Sequence, residues 1–306
     1  MGFESLHTAL VVVAYSFCSG GMILFNKLAM HHMPYPSLVS VIQFLTCTIA
    51  IQCLGLFNAI ELDPLQWHKV KPYLVYNAAF VISIYANMKA LEGSNVDTVI
   101  VFRSCAPLAV AFLEWMFMQR AFPSVKSLFA LLLILLGASG YVYTDSAFKL
   151  SGWAAYTWCS LWILLLCFLM VFGKVIVDHV SMQSMFGHVY YTNCLSVPPM
   201  LLMGVGLNEA SAWPHVRFTP GGAVFLFLSS VVGIGLSYTG WQCRDLLSAT
   251  AYTVVGLMCK LLPVAVNALI WDKHTSRLGS MFLIVCLVGG GLYQQAPLVE
   301  RKPQLC

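Results

Sequence analysis

Charge is scarce in this sequence. Of its 306 residues, 9% are charged and 59% are hydrophobic, whereas about 25% of the residues in a soluble domain are charged. So little charge cannot cover a globule with solvated side chains, which excludes a single soluble domain. The net charge of +4 is small and scattered, so we expect no nucleic-acid partner. The composition predicts a polytopic α-helical membrane protein.

Motifs for redox and metal chemistry are also missing. The eleven cysteines form no Cys-x-x-Cys pair and lie mostly in apolar runs, so we interpret them as small buried hydrophobes. Within the apolar spans, no His-x-x-His, Glu-x-x-His or paired-carboxylate spacing indicates a metal site or an acid–base catalyst. We therefore expect no cofactor and no enzymatic activity. The alternative, a membrane-embedded enzyme, would need a nucleophile or a metal cluster at membrane depth.

Ten apolar stretches are present, each about long enough to cross a bilayer. Breaks that carry charge, proline or glycine predict spans at residues 7–30, 37–57, 71–91, 96–118, 125–144, 152–177, 184–206, 221–243, 247–270 and 276–296. Tryptophans at span ends are typical of interfacial belts; they are Trp67, Trp115, Trp153, Trp241 and Trp271.

An even number of spans places both termini on one side of the membrane. The loops and ends of that side hold eight basic residues: Lys69, Lys71, Arg120, Lys126, Lys174, Arg244, Arg301 and Lys302. Those of the other side hold five: Lys89, Lys149, Arg217, Lys273 and Arg277. The excess predicts that both termini are cytosolic.

Spans four and nine share a pattern at an offset of 156 residues, which aligns Pro107 with Pro263 and Trp115 with Trp271. The next spans both carry glycine clusters. Five spans followed by five similar ones must have opposite orientations, because five is odd. We therefore predict one transmembrane domain over 1–306 with two inverted halves, 1–144 and 152–296, and a substrate site between them near the midplane. The alternative is chance similarity between apolar helices.

Lys27, Arg103 and Lys260 lie within apolar spans, where an unpaired charge costs several kcal/mol. Lys27 lies near a span end, so its alternative is snorkelling to the interface. Arg103 has a structural alternative, in which it pairs with a backbone carbonyl or with Glu114. Lys260 lies deep in span nine without an acidic neighbour in the sequence.

Lys260 belongs to a polar face. Ser248, Tyr252, Gly256 and Lys260 are spaced by four residues and share one side of a helix, a composition that fits a polar cavity better than lipid. A second cluster, Tyr190-Tyr191-Thr192-Asn193, could bind a flat heterocycle or bond across helices. Asn26 in span one and Tyr238 in span eight have helix packing as their alternative. Basic residues outnumber acidic ones in the spans, which favours an anionic substrate.

Over nearly its whole length, the chain resembles the nucleotide-sugar transporters of the drug/metabolite transporter superfamily. Within that group it resembles the GDP-sugar carriers of the plant-type Golgi branch. The segments that carry the resemblance are Asn95-Val96-Asp97-Thr98, Val101-Phe102-Arg103-Ser104, Tyr141-Val142-Tyr143-Thr144-Asp145, Ser248-Ala249-Thr250-Ala251-Tyr252-Thr253 and Leu269-Ile270-Trp271-Asp272-Lys273-His274.

Two family motifs imply site residues. A Gly-Ala-Leu-Asn-Lys-type motif, which contacts the sugar and phosphate in that family, reads Gly256-Leu257-Met258-Cys259-Lys260, with Cys259 in place of asparagine. A Phe-Tyr-Asn-Asn-type motif, which contacts guanine, reads Tyr190-Tyr191-Thr192-Asn193, with Thr192 in place of the first asparagine.

The resemblance implies a Golgi antiporter that exchanges a GDP-sugar, GDP-fucose or GDP-mannose, for GMP. The expected partners are the nucleotide sugar, the nucleoside monophosphate and the lipid bilayer, and a homodimer is left open. The alternative within transport is a carrier of a UDP-sugar or of a phosphorylated metabolite.

Overall fold

The structure is a computed structural model that describes residues 2–93, 96–144, 153–211, 213, 219–270 and 277–297. These residues form an all-α protein of ten helices, as predicted. The helices are α1 (Gly2–His32), α2 (Pro36–Leu56), α3 (Trp67–Gly93), α4 (Val96–Phe117), α5 (Val125–Thr144), α6 (Trp153–His179), α7 (Met185–Gly206), α8 (Pro220–Leu246), α9 (Ala249–Ile270) and α10 (Arg277–Leu292).

The outer surface of the helices is apolar. Within the described residues, four helical stretches are long and apolar enough to cross a membrane by length and composition: Ser5–His32, Pro36–Leu56, Thr157–His179 and Pro220–Leu246. Phe17 and Leu202 are 78% and 72% exposed. A surface of this kind requires lipid rather than water around it, so the protein is a membrane protein.

Most helix ends differ from the predicted ones by a few residues, and two of the differences bear on the packing. α10 ends at Leu292, four residues before the predicted end, and in the segment after it the carbonyl groups of Ala296 and Pro297 accept hydrogen bonds from Arg120 and from the Ala121 N–H. α8 continues to Leu246 and includes Arg244, which the sequence analysis placed among the loop cations. That assignment was wrong, because Arg244 is buried, with 8% of its surface exposed.

The chain forms two compact units that are interleaved along the sequence. Unit 1 comprises residues Met1–Tyr85 and Ile176–Leu246, and unit 2 comprises Ala86–Val175 and Leu247–Cys306. In unit 1, α1 packs on α8, and α2 packs on α7 and α8. In unit 2, α4 packs on α5 and α9, and α10 packs on α5 and α9.

The helix contacts in unit 2 have a regular pattern. The contact of α4 with α5 has a counterpart in that of α9 with α10, and α4 and α5 each contact the helix five places later. A two-fold relation between the pairs α4–α5 and α9–α10 would produce these contacts. The superposition of the two halves over their full length stays a prediction.

The glycine clusters in α5 and α10 bring these two helices together. A Cβ added at Gly137 would lie 2.6 Å from the backbone nitrogen of Cys286, and one at Gly289 would lie 2.9 Å from the carbonyl oxygen of Ala130. Such short distances leave no room for a side chain, as is common between membrane helices. The glycines that suggested the repeat are therefore an intramolecular packing surface.

Replacement of Gly137 by alanine is expected to destabilise unit 2. The new methyl group can be accommodated only by a shift of the α10 backbone, and overpacking of this kind typically costs about 1–3 kcal/mol. Thermal unfolding in detergent measures the effect. Gly20→Ala is the matched control, since a Cβ added at Gly20 would have no neighbour within 4 Å. Equal melting temperatures for the two variants would contradict the packing role of Gly137.

Candidate functional site

The predicted site residues divide between the two units. Unit 1 contains Asn26, Tyr190, Tyr191, Thr192, Asn193 and Tyr238, whereas unit 2 contains Arg103, Ser248, Tyr252, Gly256, Cys259 and Lys260. The residues predicted to bind a base therefore belong to one unit, and those predicted to bind a phosphate belong to the other.

The Tyr190–Asn193 cluster lies near the start of α7 and is mostly engaged within unit 1. The Tyr191 side chain is fully buried; its hydroxyl donates to the Pro64 carbonyl and accepts the Gln66 N–H at 2.9 Å. Thr192 Oγ1 donates to the His188 carbonyl at 2.8 Å, and Asn193 Nδ2 donates to the Val189 carbonyl at 2.8 Å. The tyrosine therefore anchors the loop before α3, while the next two side chains bond along their own helix.

A carboxylate holds the other side of the same loop. Asp63 is 3% exposed, its Oδ1 lies 2.6 Å from Lys69 Nζ, and its Oδ2 accepts the Gln183 N–H at 2.8 Å. The loop borders a cavity of about 710 Å³, whose polar lining includes Glu61, Asp63 and Tyr190. Tyr190 is thus the residue of the predicted base-binding motif that lines this cavity.

An aromatic cluster with a buried cation packs against the motif. His188 stacks on Trp241 at 5.1 Å between ring centroids, and Tyr73 lies 5.3 Å from Tyr191. The Arg244 guanidinium lies 4.9 Å from the centroid of Trp241 and donates to the Tyr76 hydroxyl at 3.0 Å. A cation over an aromatic face is favourable where water is excluded.

Sequence reasoning missed this cluster. It assigned Trp241 to an interfacial belt, although only 2% of the side chain is exposed, whereas Trp67 and Trp115 do lie at the surface. The only available signal was the Trp241-x-x-Arg244 spacing, which puts both side chains on one face of a helix.

The remaining predicted residues of unit 1 have polar or aromatic partners. Asn26 Oδ1 accepts from Gln43 Nε2 at 2.8 Å, and the same amide donates to Ser229 Oγ at 2.9 Å. Tyr238 stacks on Phe186 at 4.5 Å and accepts from Gln242 Nε2 at 3.2 Å. The Asn26–Gln43–Ser229 bonds join α1, α2 and α8, which agrees with the packing alternative for Asn26.

In unit 2, the predicted polar face of α9 is largely buried. Ser248 is 1%, Tyr252 6% and Cys259 6% exposed, and Gly256 is buried too. Ser248 is the residue before the helix, and its hydroxyl accepts the Ala251 N–H at 3.0 Å. It therefore caps α9, a role that the sequence pattern did not predict.

Glu114 is the acidic centre of unit 2. Arg120 Nε lies 3.2 Å from Glu114 Oε1, an ion pair that the sequence did not predict. The Arg103 guanidinium lies 6.0 Å from the ring centroid of Trp162. Beside the carboxylate, burial raises the pKa of the Tyr293 phenol to about 12, so this group stays protonated at physiological pH.

Some predicted residues lie outside the described part of the chain. These are the side chains of Lys27, Asp97, Trp153, Lys260 and Pro263, and all of Asn95, Asp145, Trp271, Asp272, Lys273 and His274. The ten cysteines that the structure does describe are free thiols. Within the same residues no group of histidine, cysteine and carboxylate side chains could hold a metal ion.

Tyr191→Phe is expected to destabilise the protein. The two hydrogen bonds of the Tyr191 hydroxyl, to the Pro64 carbonyl and from the Gln66 N–H, are lost, and a typical hydrogen bond contributes about 0.5–1.5 kcal/mol to stability. Thermal unfolding in detergent tests this, with Tyr190→Phe as the neighbouring control. An unchanged melting temperature for Tyr191→Phe would contradict the anchoring role of its hydroxyl.

Known proteins are similar to this chain in sequence and in fold. Residues 6–143 match the EamA-like transporter family. GDP-fucose transporter 1 of Arabidopsis thaliana is 36% identical, over 97% of this chain and 88% of the relative. The GDP-mannose transporter GONST3 of Arabidopsis thaliana is 32% identical, over 95% and 81%, and the GDP-mannose transporter of Schizosaccharomyces pombe is 25% identical, over 96% and 88%.

A crystal structure of another protein, 12% identical, superposes with a TM-score of 0.72 over 94% of this chain and 96% of that one, which shows the fold. The three named relatives are transporters, which confirms the prediction of a transporter over an enzyme. With a relative 36% identical over nearly its whole length, the chain belongs to the EamA-like transporter family, within the drug/metabolite transporter superfamily.

Proposed function

We propose that the protein is a Golgi antiporter that carries a GDP-sugar into the lumen in exchange for GMP, with both termini in the cytosol. The observation that carries the proposal is the 36% identity to a GDP-fucose transporter and the 32% identity to a GDP-mannose transporter, each over more than nine-tenths of this chain. Both substrates have the same guanosine diphosphate group, so the proposal commits to that group and leaves the sugar as either fucose or mannose.

The roles of the site residues follow from charge and shape. Lys260 attracts the diphosphate, and Gly256, one turn earlier on the same face, leaves room for it beside Tyr252, Cys259 and Ser248. Arg103 adds a second cation in the same unit. Support for this assignment is chemical, since fixed cations at membrane depth are costly unless a cavity or an anion compensates them.

The base is assigned to the α7 cluster. Asn193 can offer amide groups and Thr192 a hydroxyl to the edge of guanine, with the ring of Tyr190 beside the neighbouring cavity; Tyr191, Asn26 and Tyr238 complete the proposed set. Thr192 and Cys259 replace asparagines of the family motifs. These two replacements favour a UDP-sugar or a phosphorylated metabolite as the second candidate substrate.

Exchange follows from the cationic site. A carrier with a fixed positive charge in its site switches more easily between its cytosol-facing and lumen-facing states when a bound anion neutralises that charge than when the site is empty. The same charge would make return of the empty carrier slow, so the outward passage of GMP would drive the inward passage of the next GDP-sugar.

Liposomes preloaded with GMP are expected to take up labelled GDP-mannose or GDP-fucose several-fold faster than empty liposomes. Unlabelled GMP in the medium should compete, and UMP should compete less. Equal uptake with and without GMP would contradict antiport. Competition by UMP as strong as that by GMP would contradict guanine recognition and favour the second candidate.

Lys260→Ala is expected to abolish this exchange and to leave the protein folded, because removal of an incompletely paired charge from a cavity relieves a desolvation cost. Thermal unfolding with and without GMP provides the readout: the melting temperature without ligand should be unchanged or higher, and GMP should no longer raise it. The exposed Lys126 at the start of α5 provides the control Lys126→Ala. A variant that is destabilised without ligand would indicate a structural ion pair, and one that keeps GMP stabilisation and transport would remove Lys260 from the site.

A further inference from the structure

The first turn of α9 is held by groups that come mainly from other segments. Helix N-termini leave backbone N–H groups without partners inside the helix. Here Glu114 of α4 accepts the Ala249 N–H at 2.7 Å and the Thr250 N–H at 3.0 Å, one at each carboxylate oxygen. Gln295 Oε1 accepts the Ser248 N–H at 3.1 Å. Two segments outside α9 therefore fix both the position of this helix along its axis and its rotation about that axis.

Glu114 is tied to its surroundings on every side. It is 2% exposed, and it also accepts the Thr250 hydroxyl. Arg120, which balances its charge at 3.2 Å, donates through Nη1 to the Ala296 carbonyl at 2.8 Å. One buried carboxylate thus joins the end of α4, the start of α9 and the segment after α10.

This junction sets the register between two helices that carry candidate cations. The end of α4 meets the start of α9, so the two packed helices run in opposite directions. Arg103 lies eleven residues before Glu114, and Lys260 lies eleven residues after Ala249. At 1.5 Å per residue, both backbone positions are about 16 Å from the junction, which is about half the thickness of the hydrocarbon core.

We propose that Glu114 is a positioning residue for transport: its bonds to the start of α9 keep residue 260 level with residue 103, so that two cations are available to one diphosphate. The inference rests on the proposed function, and it adds a residue that does not touch the substrate. A diphosphate spans two anionic groups and needs both cations at matching depth, whereas a monophosphate can be bound by one.

The carboxylate is specifically required by this arrangement. Glutamine has the same shape but only one acceptor oxygen, so its amide NH₂ would face either the Ala249 N–H or the Thr250 donors. Two donors would then oppose each other, and the first turn of α9 would shift or rotate. Glu114→Gln therefore changes the register without a change in side-chain volume.

The test compares inhibition constants in proteoliposomes that exchange labelled GMP for internal GMP. For Glu114→Gln, the inhibition constant of the preferred GDP-sugar is expected to rise about tenfold, equivalent to about 1.4 kcal/mol, while that of GMP changes less than about threefold. A loss of folded protein would lower the maximal rate and leave both constants unchanged, so the ratio separates positioning from general destabilisation.

Glu209→Gln is the matched control. Glu209 accepts the Ser37 N–H at 3.2 Å and the Ser37 hydroxyl near the start of α2, a helix without a candidate site residue. This variant should lose thermal stability and keep both constants. If Glu114→Gln does not fold, Thr250→Val removes one donor to the carboxylate and should raise the same ratio to a smaller extent.

The positioning role would be overturned if Glu114→Gln kept the parent's inhibition constants for both ligands, or if the two constants rose equally. Absence of any GDP-sugar uptake by the parent protein, with GMP or another nucleotide inside, would instead overturn the proposed function. The two failures are therefore distinguishable within one assay.

Discussion

Within lipid, every backbone N–H group must find an acceptor inside the protein, and this constraint shapes the helix starts of the structure. Three carboxylates meet it at long range. Glu114 accepts N–H groups at the start of α9, Glu209 accepts one at the start of α2, and Asp63 accepts that of Gln183 just before α7. Neither Tyr35 nor Ser184, the residues that precede α2 and α7, caps its own helix through its side chain.

Acidic residues are few in this chain, twelve in 306, and these three are used for structure. This gives a physical reason for the cationic character of the candidate site. The carboxylates of Glu114 and Asp63 are already engaged by basic side chains and backbone donors. These carboxylates therefore do not neutralise the cations that are proposed to bind the substrate.

The number and limits of the helices could be predicted from the sequence, because hydropathy and breaks are local properties. Differences arose where a distant partner stabilised a residue. Arg244 directly follows the predicted end of span eight, but it is held inside the protein by Tyr76 and Trp241. The segment after α10 is held by Arg120 and Ala121, which bond to its carbonyl groups. Spacing along one helix contains no information on such contacts.

The candidate site was only partly predictable for the same reason. The α9 face from Ser248 to Gly256 follows from helical spacing, and these residues are buried as a set. Three other contacts do not follow from helical spacing. The cap made by Glu114 and the anchor made by Tyr191 join segments that are distant in sequence, and the ion pair between Asp63 and Lys69 involves a loop residue. The residues predicted to bind base and phosphate fall in different compact units, a division that the linear order of the spans does not indicate.

The long-range caps also determine the order in which helices can reach their final positions during biosynthesis. When α9 leaves the ribosome, Glu114 has already been made, 135 residues earlier. The start of α2, by contrast, waits for Glu209, 172 residues later, which at ordinary translation rates is about 9–34 s. During that interval the first turn of α2 has to remain hydrated, bound to the insertion machinery or held by a temporary acceptor. The nascent chain therefore passes through a stage in which α2 has been made but cannot yet be fixed in its final position.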